Sequence, residues 1–288
     1  MYKKFLFCAA LTLSACGGGE APFGTTTGPG SDGEDGVSTD PKEIYTAEMN
    51  NLVYDAKNDE LIINNLPFDG VDGRYENTGI KTVEGFEVFA SKKSGEQGKA
   101  QYYAIYASSE NGRAGAAGTA FYAEYGHGGA MIGRNTTNVN LPVKKGELVY
   151  RGDYAGIIVG DSKSGRSEVS LASGDAVIFV DLLDFDVDGA VLGGIRNREE
   201  FDVEGNSLGS LSNIILNETS ISEDGRINSG TANTFQGSDI KASGSYEGVF
   251  AGRNGEQIVG TVKIEGAVDN EDSELGRVQE TGVFIVTD

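Results

Sequence analysis

One short segment of the sequence has the oxygen spacing of a calcium-binding loop. Residues 184–189 (Asp-Phe-Asp-Val-Asp-Gly) place carboxylates at loop positions 1, 3 and 5 and glycine at position 6, as a calcium-binding helix-loop-helix does. Position 12 is Ile195, whereas such a loop requires a bidentate glutamate there. The flanks alternate as strands do. We therefore predict a strand end, a turn at Asp188-Gly189 and a second strand, and no metal site.

A second segment, Gly160-Asp161-Ser162, is similar to the nucleophile block of one esterase class. A serine nucleophile needs a base, and the one histidine, His127, lies upstream in a glycine-rich loop, whereas those enzymes carry their histidine late in the chain. Residues 126–133 also lack the Lys-Ser/Thr ending of a phosphate-binding loop. We predict no catalytic residue and no cofactor.

Carboxylates are the one catalytic group that the sequence leaves open. The chain has 44 Asp and Glu residues, so some carboxylates will lie near one another by chance. Two carboxylates about 5 to 10 Å apart in a cleft can hydrolyse a glycosidic bond. A carboxylate-dependent hydrolase of envelope polysaccharide is therefore an alternative function. The acidic run at residues 269–274 is predicted to be a solvated hairpin loop.

Composition limits the fold and the partners. The 288 residues carry a net charge of −21, which repels the phosphate backbone and argues against a nucleic-acid partner. Glycine is abundant, with 43 residues, and the chain holds 12 Tyr, 13 Phe and only 2 Cys. Disordered chains are poor in aromatic residues, and disulfide scaffolds are rich in cysteine. The composition favours an all-β protein.

The N-terminus predicts export and lipidation. Two lysines precede a short apolar run, and Leu13-Ser14-Ala15-Cys16 follows at once, which is typical of a secretory signal peptide over residues 1–15. These four residues resemble the lipobox of bacterial lipoproteins, and by this resemblance Cys16 would carry the lipid and begin the mature chain. Gly17 in place of aspartate favours the outer membrane by the enteric sorting rule. Removal of residues 1–15 takes away two lysines and no acid, and leaves a charge of −23.

Residues 16–42 are rich in glycine, threonine and acids and have little apolar surface to bury, so we predict a flexible tether.

From Ile44 onward, short alternating segments separated by turn dipeptides predict strands. Those in the first half are placed at residues 52–54, 61–63, 86–90, 101–107 and 119–125. They predict a β-rich domain at residues 43–141.

The second half predicts an eight-stranded antiparallel β-barrel at residues 147–288. Gly152, Tyr154, Gly156 and Ile158 would share one strand face, and residues 244–252 repeat this glycine-aromatic alternation. Glycines let a strand bend, and aromatic rings fill the space they leave. The other strands are placed at residues 176–185, 189–195, 211–216, 226–235, 257–265 and 281–286. Polar residues at alternate positions predict a water-soluble barrel with an apolar interior rather than a membrane pore.

These glycine-aromatic motifs, in this order, resemble the barrel domain of transferrin-binding protein B and related surface lipoproteins. The resemblance covers residues 147–288 and implies a handle-like domain, here residues 43–141, paired with the barrel on a lipidated tether. It implies capture of a host protein or an iron-carrying ligand, without catalysis, at the cell surface. Those receptors carry two lobes and this chain has room for one, so transferrin itself is not assigned. No ligand-binding residue carries over; only Cys16 does, for lipidation. A purely structural envelope lipoprotein is a further alternative.

Overall fold

The computed structural model describes residues 43–47, 49, 51–64, 66, 73–91, 101–120, 128–141, 146–161, 168–183, 190–269 and 275–288. Strands dominate these residues, and they form two antiparallel sheets. This confirms the predicted all-β class. No helix in the described ranges is long and apolar enough to cross a membrane.

The first sheet has eight strands in the order β1-β8-β7-β6-β5-β4-β3-β2. The strands are β1 (Glu43–Ala47), β2 (Asn51–Asp55), β3 (Glu60–Asn64), β4 (Arg74–Asn77), β5 (Glu87–Ser91), β6 (Tyr103–Ser108), β7 (Gly112–Gly118) and β8 (Gly128–Arg134). One face covers its own apolar core, which includes Leu52, Tyr75, Phe89 and Tyr106. We call this sheet the handle sheet.

The second sheet closes on itself. Its strands are β9 (Glu147–Gly160), β10 (Ser170–Asp181), β11 (Val191–Phe201), β12 (Ser207–Ser210), β13 (Ile214–Thr219), β14 (Arg226–Gln236), β15 (Asp239–Ala251), β16 (Gln257–Asp269) and β17 (Leu275–Thr287). β17 pairs with β9, and β10 pairs with both β9 and β11. Eight strands therefore form a closed ring, and the short β12 pairs in antiparallel direction with the C-terminal end of β11. The predicted eight-stranded barrel is confirmed.

Glycines and aromatic rings fill the barrel interior in the predicted way. Gly230 lies opposite Tyr246, and Gly260 lies opposite Phe284. A Cβ atom on Gly260 would lie 2.1 Å from the ring of Phe284, so the ring occupies the volume that any larger residue would need. Most of the other buried interior residues are aliphatic or aromatic, and a few polar and charged side chains are buried with them. Ring-over-glycine packing thus allows the strands to curve tightly around a filled core.

Strand β7 lies where the sequence predicted none. The pattern placed a strand at residues 119–125, but the strand is Gly112–Gly118, and residues 121–125 lie outside the described ranges. Every residue of β7 is buried. Ala117 faces the handle core, whereas Ala114 and Ala116 face the barrel. A strand enclosed on both faces has small residues instead of apolar-polar alternation, so the pattern gave no signal for it.

The handle sheet packs against the outer wall of the barrel. A buried cluster joins residues of the first sheet, such as Val88 and Ile132, to barrel residues such as Ile157, Leu171 and Val283. This contact explains why alternate outward positions of several barrel strands are apolar although the barrel interior is apolar too.

Arg134 connects the two sheets at the end of β8. Its side chain is fully buried, and its Nη1 donates to the carbonyl oxygen of Asp224 at 2.7 Å. We expect Arg134→Met to lower the free energy of unfolding by about 1.5–3 kcal/mol, because the hydrogen bond from a charged donor to the carbonyl oxygen of Asp224 is lost. Urea denaturation measures this, with Arg151→Met, a change at an exposed barrel arginine, as the control. Equal losses in the two variants would contradict the assigned role.

A second contact between the sheets brings carboxylates together. Gly85, with φ +73°, lies against the side chain of Asp153 on the barrel wall. Asp153 also lies directly opposite Asp175, which accepts a hydrogen bond from Asn197. Burial, together with the charges of Glu84 and Asp175, raises the pKa of Asp153. The ionised form is therefore less favourable in the folded protein than in the unfolded chain.

We expect Asp153→Asn to stabilise the protein at pH 7, by roughly 0.2–1 kcal/mol, because it removes a like-charge pair across two strands. A raised folded-state pKa means that the folded protein binds more protons, so native stability falls as pH rises from the unfolded value of about 3.9 through the raised value. The gain from asparagine should therefore vanish as pH falls toward about 3.9. Denaturation at several pH values tests this, and a gain that does not depend on pH would contradict it.

Candidate binding site at one end of the barrel

One end of the barrel holds a cavity of about 200 Å³. We call it the end pocket. Its apolar wall includes Ile158, Leu211, Ala242, Ile264 and Val278. Its charged lining residues are Arg198 from β11, Lys241 from β15 and Glu280 from β17.

Arg198 and Glu280 form a buried ion pair in this lining. Arg198 Nη2 donates to both carboxylate oxygens of Glu280 at 2.5 Å, and Nη1 donates to the carbonyl oxygen of Ser212. The two side chains are only 2% and 8% exposed. A pair this far from water retains strong attraction but also carries a large desolvation cost, so each partner depends on the other.

A backbone irregularity turns Arg198 toward the interior. Val191 and Ile195 of β11 face the barrel core, so regular alternation would send residue 198 outward. Between Arg196 and Glu199, β11 has one residue more than the facing segment of β10, and Asn197 there adopts φ +49°. This β-bulge shifts the alternation by one residue. Arg198 therefore points into the barrel.

Tyr154 completes the polar layer. Its hydroxyl donates to Glu280 Oε1 at 2.6 Å, and the Arg198 guanidinium lies over its ring, with 5.8 Å from Cζ to the ring centroid. Burial and the adjacent carboxylate raise the pKa of Tyr154 well above its usual value. Burial alone lowers the pKa of Arg198, but Glu280 and Tyr154 more than offset this, and the net pKa is raised. The layer is thus a neutral phenol, a cation and an anion.

A second carboxylate, Glu200, lies two residues beyond Arg198. Phe201 packs on the outer wall, so Glu200 faces inward, where its Oε1 accepts a 2.5 Å hydrogen bond from Ser170 Oγ. Each of the two carboxylates therefore has its own donor. Glu280 in particular is held by a guanidinium and a phenol, which favours a fixed anion over a group that attacks a sugar or transfers a proton. The hydrolase alternative gains no support from these pairings.

The structure has a second cavity, of about 470 Å³, at one end of the handle sheet. It is lined mainly by polar residues, among them Tyr54, Ser108, Glu110, Arg113 and Asn135. The Tyr54 hydroxyl donates to Asp59 at 2.9 Å, and this bond raises the pKa of Tyr54 to about 12. Ala56 is the one aliphatic side chain among the lining residues of this cavity, whereas the end pocket combines several aliphatic wall residues with a buried charge.

Most residues singled out from sequence lie outside the described ranges. These are Cys16, His127, Ser162 and residues 184–189. Gly160 ends β9, and the amide of Asp161 donates to the carbonyl oxygen of Arg277, so both belong to strand pairing. No group of three or more His, Cys, Asp or Glu residues suited to a metal ion occurs among the described residues.

The sequence analysis identified none of the charged residues of the end pocket. The strand face containing Tyr154 was predicted correctly, but Arg198, Lys241 and Glu280 resemble ordinary surface positions in sequence. The one available signal was Asn197, since asparagine tolerates a positive φ and so favours a bulge in a strand.

No protein-family model matches the sequence, and no curated protein matches it. The structure is similar to crystal structures of the vaccine antigen transferrin-binding protein B. A double mutant from Haemophilus parasuis has a TM-score of 0.36 and 13% identity, over 82% of this chain and 44% of that chain. A single mutant from the same organism has a TM-score of 0.39 and 12% identity, over 86% and 47%. A mutant from Actinobacillus pleuropneumoniae has a TM-score of 0.34 and 14% identity, over 84% and 99%. This chain thus spans less than half of the first two structures.

Proposed function

We propose that this protein is a lipoprotein of the bacterial outer membrane that binds a protein or small-molecule ligand and catalyses no reaction. In this proposal Cys16 carries the lipid, residues 16–42 are the tether, and residues 43–141 and 147–288 form a handle-like domain and a barrel domain exposed at the cell surface. The ligand serves iron or nutrient acquisition, as the resemblance to transferrin-binding-protein-like lipoproteins implies.

The observation that carries the binding function is the end pocket. Most of the barrel interior described by the structure is packed with apolar side chains, and the polar layer of Tyr154, Arg198 and Glu280 lies at the end that holds the cavity. Concave sites with apolar walls and a few convergent polar groups are typical of ligand binding. The mouth of a small β-barrel is a frequent place for them.

The anchor is supported by the agreement of three sequence features: the basic start, the short apolar run and the box ending at Cys16. A diacylated cysteine gives durable membrane attachment, because each buried methylene contributes about 0.8 kcal/mol. The 27 residues from Cys16 to Lys42, at about 5–6 Å times the square root of the residue number, would place the folded part roughly 30 Å from the membrane.

Protease treatment of intact cells tests the surface location. We expect a C-terminal epitope on the protein to disappear when a non-penetrating protease is added to whole cells, while a periplasmic marker survives. If the epitope survives until the outer membrane is opened, the protein faces the periplasm and the surface proposal is wrong.

A further inference from the structure

We propose that the end pocket binds a small organic monoanion, such as a short-chain carboxylate. Its apolar body would lie against the aliphatic wall, and its negative charge would lie beside Lys241 and the Nε of Arg198. This inference rests on the proposed binding function, because it assigns a chemical class of ligand to the same site.

The charged residues that line the pocket are mainly positive, whereas the protein as a whole is strongly negative. The protein has a net charge of −21, yet the charged residues that line the pocket are two cations, Arg198 and Lys241, and one anion, Glu280. Glu280 is already engaged by Arg198 Nη2. Lys241 is exposed and forms no ion pair with a described residue. The positive charge of Lys241 is therefore available to a ligand in an otherwise acidic protein.

A buried donor in the lining also lacks an acceptor. Arg198 Nε is inaccessible to solvent and has no hydrogen-bond partner among the described residues, although the same guanidinium bonds Glu280 and Ser212. Glu200 also attracts Arg198, and its Oε1 accepts a hydrogen bond from Ser170. A buried unsatisfied donor is unfavourable, and a small movement that brings a ligand carboxylate to Nε would satisfy it.

The volume and the aliphatic walls of the pocket indicate the size and the apolar character of the uncharged part of the ligand. A volume of about 200 Å³ corresponds to roughly seven water molecules at about 30 Å³ each. The wall residues Ile158, Ala242, Ile264 and Val278 offer aliphatic contact and no fixed acceptor from their side chains. A molecule of about eight non-hydrogen atoms with one carboxylate, such as hexanoate, matches both the room and the charges.

The test compares three probes that share a chain length and differ in charge: hexanoate, 1-hexanol and hexylammonium. They are titrated into the full-length Cys16→Ser chain and followed by saturation-transfer NMR. We expect hexanoate to bind with a dissociation constant on the order of 1 mM, hexanol to bind at least about fivefold more weakly, and hexylammonium not to bind, since the two cations of the pocket discriminate by charge.

Two variants locate the site. Lys241→Gln should weaken hexanoate binding by about three- to fivefold and leave hexanol binding unchanged. Ala242→Phe should abolish binding of both, because the ring fills the cavity. The control is Lys57→Gln, the same charge change in the exposed β2–β3 turn of the handle sheet, which should alter neither. Thermal denaturation confirms that all three variants fold.

Each other outcome overturns the inference. Equal binding of the three probes shows that the pocket does not select by charge, and absence of hexanoate binding shows that it does not take this class of ligand. Equal weakening by Lys241→Gln and Lys57→Gln places the effect in the general charge of the protein rather than in the pocket. None of these outcomes bears on the membrane anchor, which cell fractionation tests separately.

Discussion

Replacement of Cys16 by serine is expected to move the protein almost completely from the membrane fraction to the soluble fraction of the cell. Serine has no thiol to carry the diacylglyceryl group, so the anchor would be lost. Fractionation followed by immunoblotting measures the distribution.

The second cysteine provides a matched control. Cys8 lies in the apolar run of the predicted signal peptide, so Cys8→Ser makes the same chemical change in a segment that is removed on export. It should leave the protein in the membrane fraction. A Cys16→Ser chain that remains fully membrane-bound, or release by both substitutions alike, would contradict the lipid anchor.

The Glu280→Gln substitution is expected to lower the free energy of unfolding by about 3–5 kcal/mol, because it leaves the Arg198 guanidinium buried without its counter-ion. The same change would also disturb the hydrogen bond from the Tyr154 hydroxyl. Urea denaturation of the Cys16→Ser chain and of the same chain with Glu280→Gln measures the difference.

Two further variants separate burial from charge. Glu265 of β16 forms an exposed ion pair with Arg277 of β17, 3.0 Å between Oε1 and Nη1, on the outside of the barrel. Exposed pairs contribute about 0–1 kcal/mol, so Glu265→Gln should have little effect. Replacement of both buried partners, by Arg198→Met with Glu280→Leu, should restore much of the stability lost in Glu280→Gln. If Glu280→Gln lowers the free energy of unfolding no more than Glu265→Gln does, the ion pair between Arg198 and Glu280 is not buried.

The barrel could be predicted from sequence because two physical requirements leave a visible pattern. Many outward residues that meet water are polar, although Phe179 and Leu192 are exposed apolar exceptions, and inward positions alternate between glycine and aromatic rings, as at Tyr154 and Phe284. The turn dipeptides Asp224-Gly225 and Asn254-Gly255 lie between strands β13 and β14 and between β15 and β16. In this half every strand predicted from the pattern overlaps a strand of the structure.

The handle sheet was predicted less completely because its contacts hide the pattern. Strand β7 is buried on both faces, so it has no polar side, and its small residues reflect the close approach of the two sheets. Strands β1, β4 and β8 were not predicted either. A contact surface between two sheets depends on residues distant in sequence, and one strand alone does not show it.

The end pocket was missed for a related reason. Its charged residues come from three strands, at positions 198, 241 and 280, and only closure of the barrel brings them together. Arg198 in addition depends on the bulge at Asn197, which reverses the side-chain alternation that sequence analysis assumes. The export signal, in contrast, is contiguous in the chain and could be interpreted without a fold.

Chemical-shift mapping tests most directly whether the end pocket is the binding site. In amide NMR spectra of the deuterated Cys16→Ser chain titrated with hexanoate, we expect the largest shifts at residues of the pocket lining, such as Lys241, Ala242 and Val278. The absence of shifts, or shifts confined to the handle cavity around Ser108 and Asn135, would show that the end pocket is not the binding site.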